Sequence, residues 1–523
     1  MKLSLVAFTL VALAPAQVSY EQLLAPDPAN WLHYSGQYHA RRHSELQQVS
    51  TETVKDLVPA WIFHVPNSRR LESVPIVVDG VMYVSYPNFV YALDARTGRQ
   101  IWEYQREPAL QKGPNRGVAV YGNKVYMGTP DAHLVALDAR NGSELWATKI
   151  AEAREGYWSP GAPLVIKGKV IQGIAPGEHG LNGILAAFDA ETGERLWRWN
   201  AIPGPGEPGH ETWAGDSWKT GGGNTWLTGS YDPELNLIYQ GVGNPAPDFD
   251  GDVRKGDNLY TESMVALDAD TGKLKWHFQF TPHDVHDWDA VEIPVLVNAP
   301  FNGQPRKLLL QANRNGFYYV LDRVTGEFLH GSPFVKLNWA SGLTKAGRPI
   351  RVPGIEPSLK GTKTCPATSG ATNWMSPAVN PATGWFYFVA QEGCGINTKS
   401  RDTFRPGGNP FMGTGYVESP EEPWQMYVRA LDIATGKLQW EYKQVNSRRY
   451  GAGLLSTAGG LIFAGDDQGF LTALDARTGQ ALWHFNTGEQ ISGQPMTYAF
   501  HGQQYVGIAA GSNVVAFRLH GRQ

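Results

Sequence analysis

Short apolar runs separated by glycine-containing turns recur along most of this chain. Representative runs are Val81–Ser85, Val125–Gly128 and Leu461–Gly465. Runs of this length between turns are typical of β-strands. Downstream of each run comes a phrase in which an apolar stretch ends in Asp, a Thr-Gly or similar turn follows, and a second run begins. The phrase occurs seven times, with its Asp at Asp94, Asp138, Asp189, Asp268, Asp322, Asp432 and Asp475.

The phrase predicts one small antiparallel sheet for each repeat. Its Asp and Gly form the turn, because Gly adopts the left-handed conformation at low steric cost. In six copies a Trp stands eight residues after the Asp, and His330 takes that place in the copy at Asp322. One such sheet cannot bury both of its faces alone, whereas radial stacking of several sheets buries the faces and protects the edges. We therefore expect an all-β fold, a β-propeller in which the Trp residues dock between blades.

The spacing of the repeats predicts eight blades. The gaps between successive Asp residues are 44, 51, 79, 54, 110 and 43 residues, so the shortest corresponds to one four-stranded blade and the excess is loop. Long insertions fall at Pro203–Trp226 and Lys399–Trp424. Tyr505–Leu519 and the N-terminal segment Ala60–Val65 supply strands for an eighth blade that would close the ring by pairing the two ends of the chain. Residues 17–523 would then form a single domain.

Composition supports a folded, aromatic-rich protein and argues against one class of partner. Of 523 residues, 42% are hydrophobic, 59 are Gly and 18 are Trp, which is ample apolar material for a core and excludes a disordered chain. Lys and Arg number 45 against 49 Asp and Glu, so the net charge is −4. A protein that binds nucleic acid through phosphate contacts is normally basic, so we expect no nucleic-acid partner.

The N-terminus reads as an export signal. Lys2 is followed by the apolar run Leu3–Leu13 and by small residues at Ala14-Pro15-Ala16. The run has the length of a signal peptide and is too short to span a bilayer. We expect residues 1–16 to be removed, a periplasmic mature protein, and no membrane span in it; an uncleaved N-terminal anchor is the alternative.

Cys365 and Cys394 are the two cysteines. In an exported protein an even pair suggests one disulfide, with two free thiols as the alternative. The sequence has no C-x-x-C-H motif, so we expect no covalently attached haem.

One short segment carries an unusual density of acids. Thr281–Ala290 reads TPHDVHDWDA and places Asp284, Asp287 and Asp289 within six residues. Clustered carboxylates repel one another unless a cation or a proton lies among them. A solvated acidic turn is the plain alternative. Two other segments, Ala175–Gly180 (APGEHG) and Gly241–Pro247 (GVGNPAP), contain a Glu and an Asn. Taken alone, Glu178 is typical of an exposed loop acid, and Asn244 of a turn former before Pro245.

The repeat together with these motifs resembles the quinoprotein alcohol dehydrogenases, which use pyrroloquinoline quinone (PQQ). The resemblance covers nearly the whole of residues 17–523, and several separate motifs match in order. A binding-only propeller, such as an outer-membrane assembly scaffold, shares the repeat and is the main alternative; the motifs distinguish the two.

The resemblance implies a metal centre beside the quinone. Its ligands would be Glu178, Asn244, Asp287 and Asp289, around one ion, a lanthanide or Ca²⁺. Calcium-type relatives carry Ala where this chain has Asp289, and lanthanide-dependent relatives carry Asp. The family's distant disulfide also matches Cys365 and Cys394.

The resemblance also implies the contacts to PQQ. Trp226 in Gly221–Trp226 (GGGNTW) matches the Trp that stacks on the quinone. The polar contacts would come from side chains that match in separate motifs, namely Glu72, Arg116, Arg314 and Asn373. Arg is a sensible partner for the three carboxylates of PQQ.

The chain departs from the family pattern at three places. Many members carry two adjacent Cys where this chain has Leu110 and Gln111, Pro160 stands where a Thr is common, and Tyr450-Gly451 replaces a frequent Trp. We therefore expect the quinone to be held less tightly or the cavity to be shaped differently.

The implied activity is oxidation of an alcohol to an aldehyde. Asp287 would accept the hydroxyl proton as general base, hydride would pass to the metal-polarised quinone, and Arg314 would stabilise charge on the quinone oxygen. With no haem motif, electrons would pass to a separate acceptor, a cytochrome c. A sugar or polyol dehydrogenase and a non-catalytic propeller scaffold are the alternatives, and a homodimer is one arrangement compatible with the sequence.

Overall fold

The structure, a computed structural model, describes residues 17–521 except residues 109, 111, 112, 176 and 448–450. The predicted signal peptide lies outside the described residues. Helix is scarce in the described part: one short α-helix spans Tyr20–Leu24 and begins at a capping box formed by Ser19 and Gln22. In the residues described, no helix has the length and apolar character needed to cross a bilayer. The short 3-10 turns are Val54–Asp56, Ala153–Glu155, Gly177–His179, His210–Thr212, Ser217–Thr220 and Gly251–Val253.

Antiparallel sheets of four sequential strands account for most of the described chain. In chain order, the first three sheets consist of Ile76–Val78, Val81–Tyr86, Phe89–Asp94 and Gln100–Gln105; Ala119–Tyr121, Lys124–Gly128, His133–Asp138 and Glu144–Lys149; and Leu164–Ile166, Lys169–Gly173, Ile184–Asp189 and Arg195–Asn200. The next three consist of Ser230–Asp232, Leu237–Gly241, Ser263–Asp268 and Leu274–Gln279; Val295–Phe301, Gln304–Ala312, Phe317–Asp322 and Phe328–Pro333; and Ala378–Asn380, Trp385–Glu392, Gln425–Asp432 and Leu438–Gln444.

Two further large sheets use the N-terminal segment. One adds His43–Ser44 as a parallel edge strand to Leu454–Thr457, Leu461–Gly465, Phe470–Asp475 and Ala481–Asn486. The other pairs Leu57–His64 with Asn513–Leu519, followed by Gln503–Ala510 and Met496–Phe500. The pairing is antiparallel and aligns Ile62 with Val515. The prediction that the two ends of the chain share one sheet is confirmed.

Two small sheets lie between the repeat phrases at Asp322 and Asp432. They consist of Ala340–Leu343 with Pro349–Arg351, and of Thr362–Thr364, Gly395–Lys399 and Thr414–Glu418.

The repeat phrase joins each sheet to the next. Trp102 stands on the outer strand of one sheet, and its indole N–H donates to the carbonyl oxygen of Ala139 in the following repeat at 3.0 Å. Its ring also lies against the turn glycine of that repeat, since a Cβ on Gly142 would come within 2.6 Å of it. The same bond links Trp197 to Ala269 at 3.2 Å and Trp440 to Ala476 at 3.0 Å. The turn glycine is therefore required both by its left-handed backbone and by the indole of the preceding sheet.

The terminal sheet docks by the same chemistry. Trp61, which lies outside the recognised phrase, donates from its indole to the oxygen of Ala95 at 3.0 Å, and Trp483 donates to the oxygen of Leu57 at 3.1 Å. The sheet formed by both chain ends is thus held on both sides by a Trp. The prediction of an all-β fold built on Trp-docked repeats is confirmed.

The disulfide between Cys365 and Cys394 is present, as the resemblance implied, and excludes the alternative of two free thiols. The insertion at Lys399–Trp424 reaches loops of other repeats: the Phe411 N–H donates to the Glu178 carbonyl, and the Phe249 N–H donates to the Met412 oxygen at 2.9 Å.

Candidate active site

Loops from several repeats enclose a cavity of about 330 Å³. All five residues predicted to contact the cofactor line it, together with Glu178, Asp287 and Asp289 of the predicted metal site. The other lining residues are Arg70, Pro114, Trp158, Pro160, Ala175, Asn224 and Trp374. Asn244 lies behind this wall, where its Oδ1 accepts a hydrogen bond from Nδ2 of Asn224 at 3.3 Å. The motifs that lie far apart in the sequence therefore meet in one place.

The acidic segment folds into a tight turn that is fixed from within. Oδ2 of the buried Asp284 accepts hydrogen bonds from the backbone N–H groups of His286 and Trp288, both at 3.2 Å. The buried Trp288 donates from its indole to the oxygen of Ala367 at 3.0 Å and anchors the turn to the core. Asp287 has a φ of 61°, a left-handed conformation that few non-glycine residues adopt and that stores strain. The turn therefore places the carboxylate of Asp287 at the cavity while Asp284 has a structural role.

Asp289 is the most heavily contacted of the predicted metal ligands. Its Oδ2 accepts from Nε1 of Trp226 and from Nη2 of Arg314, each at 3.0 Å, and its Oδ1 accepts from the backbone N–H of Asn244 at 2.8 Å. Gly243 makes this approach possible, because a Cβ there would lie 2.1 Å from Oδ1 of Asp289. One carboxylate thus joins three of the predicted site residues.

The side chain of Asn244 is held from both ends. Its Nδ2 donates to Oδ1 of Asp248 at 2.9 Å, while its Oδ1 faces Asn224 on the cavity wall. Asp248 is fully buried and was not among the predicted residues. The only sequence signal for it was its position four residues after Asn244, which does not distinguish it from a turn former.

Carboxylates crowd the metal side of the cavity and raise one another's pKa. The pKa of Asp287 lies well above its usual range, because of burial first and then because of the negative charges of Asp248 and Asp289. The pKa of Asp248 is raised well above its usual range by burial and then by the charge of Glu178. In the part of the chain that the structure describes, no three of these four carboxylates bring their oxygens within 4.8 Å of one another. Burial and the like charges together disfavour the ionised carboxylates, and a bound cation would favour them.

The cofactor side of the cavity is aromatic and basic. The guanidinium carbon of Arg116 lies 4.6 Å from the ring centre of Trp226 and 5.1 Å from that of Trp374. Arg116 also forms an ion pair with Glu72 at 2.9 Å. Its Nε is buried and has no hydrogen-bond partner in the described residues. The Arg116 guanidinium therefore lies against both Trp rings, and its buried Nε offers an N–H donor to an anion.

Arg314 links the two sides. It donates to Asp289 and, at 3.3 Å each, to the backbone oxygen of Asp287 and to Oδ1 of Asn373. Its Nε lies 3.4 Å from Oε1 of Glu292, a buried residue that the sequence did not single out. Burial raises the pKa of Glu292 to about 8, against the opposing effect of Arg314. Arg314 is the positive charge at the centre of an acidic site.

One of the departures from the family pattern, Pro160, lies on the cavity wall. Pro160 lines the cavity, as does Trp158, whose ring fills the space that a Cβ on Gly113 would occupy. Trp158 and Trp374 were missed in the sequence because neither stands in the repeat phrase. Gln111 and Tyr450 lie outside the described residues.

The fold is built from Trp-docked antiparallel sheets, and its cavity brings carboxylates, arginines and Trp rings together. Residues 31–333 and 446–506 match the family model described as PQQ-type "Glucose/ethanol/alcohol dehydrogenase, beta-propeller domain". The chain therefore belongs to the PQQ-dependent alcohol dehydrogenase family, and its fold is a β-propeller.

Comparisons with individual relatives give the same family. The chain is 41% identical to the quinoprotein alcohol dehydrogenase PedH of Pseudomonas putida, over 97% of this chain and 91% of PedH. It is 35% identical to the lanthanide-dependent methanol dehydrogenase of Methylacidiphilum fumariolicum, over 97% of this chain and 89% of that protein. The solved structure of the quinohemoprotein alcohol dehydrogenase ADHIIG of Pseudomonas putida superposes with a TM-score of 0.90 at 35% identity, over 97% of this chain and 83% of that one. The chain is an enzyme of this PQQ-dependent class.

The residues present fit both implied groups. A hard cation takes carboxylate and amide oxygens, and the crowded acids of this pocket, including the unpartnered Oδ2 of Asp248 in the described structure, are such donors. A planar polycarboxylate finds an aromatic ring, that of Trp226, and an N–H donor, that of Arg116, on the wall of the same cavity.

Proposed function

We propose that this enzyme oxidises an alcohol to an aldehyde in the periplasm, with PQQ and one metal ion bound in the cavity. The observation that carries the proposal is the convergence of Asp287, Asp289 and Arg314 on a cavity floored by Trp226. Neither a binding-only propeller nor a degenerate relative needs a buried acidic pocket with one arginine at its centre, because such a pocket costs folding free energy.

Glu178, Asn244, Asp287 and Asp289 would hold the ion, a lanthanide or Ca²⁺. The pocket supplies three carboxylates and one amide, and the matched lanthanide-dependent methanol dehydrogenase supports a lanthanide. A trivalent ion gains more than a divalent one from each added carboxylate, because Coulomb attraction scales with the product of the charges.

Asp287 would act as the general base. Its carboxylate faces the cavity from a strained turn, and its backbone oxygen is fixed by Arg314. In the ionised form it would accept the hydroxyl proton of the alcohol, while Arg314 would stabilise negative charge that develops beside it.

Trp226, Arg116, Glu72, Asn373 and Arg314 would bind and orient the cofactor. Trp226 would stack on the flat ring system, and the buried N–H of Arg116 would meet a carboxylate of the cofactor. PQQ, when bound next to the ion, supplies the two-electron acceptor for the alcohol.

Electrons would then pass to a separate acceptor, a cytochrome c. The similarity to a quinohemoprotein alcohol dehydrogenase supports a haem partner for this class. The N-terminal sequence pattern supports export to the periplasm. We further propose that residues 17–523 form one domain, in which the eight large sheets of the described residues are eight blades of one ring, and that a homodimer is one possible assembly.

A substrate panel tests the proposed function. Purified protein loaded with PQQ and an ion is given primary alcohols, polyols and sugars with an artificial electron acceptor, and the product is identified. The proposal expects reduction of the acceptor with alcohols and formation of the matching aldehyde. Turnover restricted to sugars or polyols would assign the alternative activity, and the absence of PQQ binding would assign a scaffold.

A further inference from the structure

Asp248 stands out among the buried carboxyl groups. It lies in the loop that follows Asn244 and is fully buried. Its Oδ1 accepts a hydrogen bond from Nδ2 of Asn244 at 2.9 Å, and its Oδ2 has no partner among the described residues. A buried carboxylate with one unpartnered oxygen lowers the stability of a fold unless something else compensates it.

The neighbouring Arg254 attracts the Asp248 carboxylate through its charge but donates no hydrogen bond to it in the described structure. Arg254 is fully buried close to Asp248, but the hydrogen bonds described for its guanidinium go elsewhere. They go to the backbone oxygens of Pro247, Asp248 and Asp284 and to Oδ1 of Asn258. Arg254 therefore fixes the backbone of the loop and forms no ion pair with the Asp248 carboxylate in the described structure.

The contact with Asn244 sets the direction of the amide. Since Nδ2 donates to Asp248, Oδ1 of Asn244 must point the other way, toward Asn224 on the cavity wall. An amide binds a cation only through its oxygen. Asp248 therefore holds Asn244 in the one orientation in which it can serve as a ligand.

Resting on the proposed function, we propose that Asp248 is a fifth residue of the metal centre. It is a fourth carboxylate that orients Asn244 and adds negative charge for a hard trivalent cation. The carboxylates of the ion site would then be four, namely Glu178, Asp248, Asp287 and Asp289. Since the attraction scales with the product of charges, loss of this carboxylate weakens binding of a trivalent ion more than binding of Ca²⁺.

Terbium luminescence tests the proposal without PQQ and without turnover. Trp226 donates to Asp289 at 3.0 Å and so lies close enough to the ion pocket to sensitise bound Tb³⁺. Metal-free protein is titrated with Tb³⁺, and Ca²⁺ affinity is measured by competition. For Asp248→Asn we expect the Kd for Tb³⁺ to rise about tenfold or more, and the Kd for Ca²⁺ to rise less. The melting temperature of each metal-free variant is measured as well, so that a change in folding is seen separately from a change in ion affinity.

Asp250→Asn is the matched control. Asp250 lies two residues further along the same loop, is also buried, and accepts a hydrogen bond from the backbone N–H of Asp252 at 3.3 Å. Its replacement should leave the Tb³⁺ affinity close to that of the wild type. Asp248→Ala is measured in parallel, so that a folding defect confined to one variant does not decide the result.

The outcomes separate this inference from the proposed function. Wild-type affinity for Tb³⁺ in both Asp248 variants, or an equal loss in Asp250→Asn, would overturn the role of Asp248 and leave the metal site standing. A lower melting temperature of both Asp248 variants with unchanged affinity would show a structural role only and overturn it too. Failure of the wild type to bind Tb³⁺ would overturn the metal site itself, and this inference with it.

Discussion

The indole Nε1 of Trp226 donates a hydrogen bond to Oδ2 of Asp289 at 3.0 Å. The residue expected to stack on the cofactor therefore holds the residue expected to select the ion. A hydrogen bond to a charged acceptor contributes about 1.5–3 kcal/mol, so a change on one side of this contact should be felt on the other. We therefore expect cofactor binding and ion binding to be coupled through this carboxylate.

Asp289→Ala should remove the preference for a lanthanide. Metal-free wild-type protein with PQQ should be activated more by a light lanthanide than by Ca²⁺, because the pocket offers a third carboxylate ligand. In Asp289→Ala, lanthanide activation should fall well below that of the wild type. The measurement is acceptor reduction as a function of ion concentration for both proteins. Equal activation of the wild type by Ca²⁺, or intact lanthanide activation of the variant, would refute the lanthanide assignment and leave the PQQ assignment untouched.

Asp287→Asn should bind PQQ and fail to turn over. The amide has nearly the shape of the carboxylate but cannot accept the proton of the alcohol, so kcat should fall by about 10²–10⁴-fold. PQQ binding is followed by absorbance and turnover by acceptor reduction. Asp257→Asn, which removes a partly exposed carboxylate paired with Arg348, is the control and should retain full activity. Near-normal kcat in Asp287→Asn would remove this residue from the mechanism.

Replacement of Trp226 should separate stacking from hydrogen bonding. Trp226→Ala loses the floor and should weaken PQQ binding by about 1 kcal/mol or more, roughly fivefold in Kd. Trp226→Phe keeps a ring but loses the N–H to Asp289, so PQQ binding should be largely kept while ion affinity changes. Isothermal titration gives both constants. If Trp226→Ala bound PQQ as tightly as the wild type, Trp226 would not be the residue that stacks on the cofactor. Trp374 would then be the next candidate.

The stabilising effect of the ion should grow with pH. Burial raises the pKa of Asp248, Asp287, Glu262 and Glu292, the last to about 8. Such groups bind their protons more tightly in the folded chain, so their contribution to stability is complete below about pH 4 and is lost as the pH rises through the folded-state pKa. A bound cation offsets that loss for the carboxylates beside it.

The rise in Tm on adding La³⁺ should therefore be larger at about pH 7 than at about pH 5. Scanning calorimetry of metal-free and La³⁺-loaded protein gives the difference at each pH. The difference cancels groups far from the ion, because they titrate alike in both samples. If the rise in Tm stayed constant or shrank as the pH increased, the claim that the ion binds ionised carboxylates would be wrong.

The sheets were predictable from sequence because the repeat has a local physical cause. Each Asp, turn Gly and Trp acts within a few residues, and the docking of Trp102 on Gly142 needs only the same phrase in the next repeat. Trp61 was missed as a docking residue because its strand belongs to a sheet completed by the far end of the chain. A contact between the two ends of the chain adds nothing to the repeat pattern of the sequence.

The cavity was predictable only where a motif carried its residues. Asp287 and Asp289 stand in a dense acidic segment, and the structure brings both to the cavity. Asp248 begins the acidic run Asp248–Asp252 and Glu292 follows Asp289 by three residues, and only their contacts with Asn244 and Arg314 distinguish them from the acids around them. Burial of a single acid depends on loops from several repeats, which the local pattern does not specify.

The most direct measurement of the central claim is reconstitution in four combinations. Metal-free, cofactor-free protein receives neither addition, PQQ alone, a light lanthanide alone, or both, and alcohol-dependent reduction of an artificial acceptor is recorded. The account predicts turnover, with release of the matching aldehyde, only when both PQQ and the lanthanide are added. It predicts no turnover of Asp287→Asn under any of the four conditions. Equal turnover without PQQ or without the ion, or no turnover with both, would contradict it.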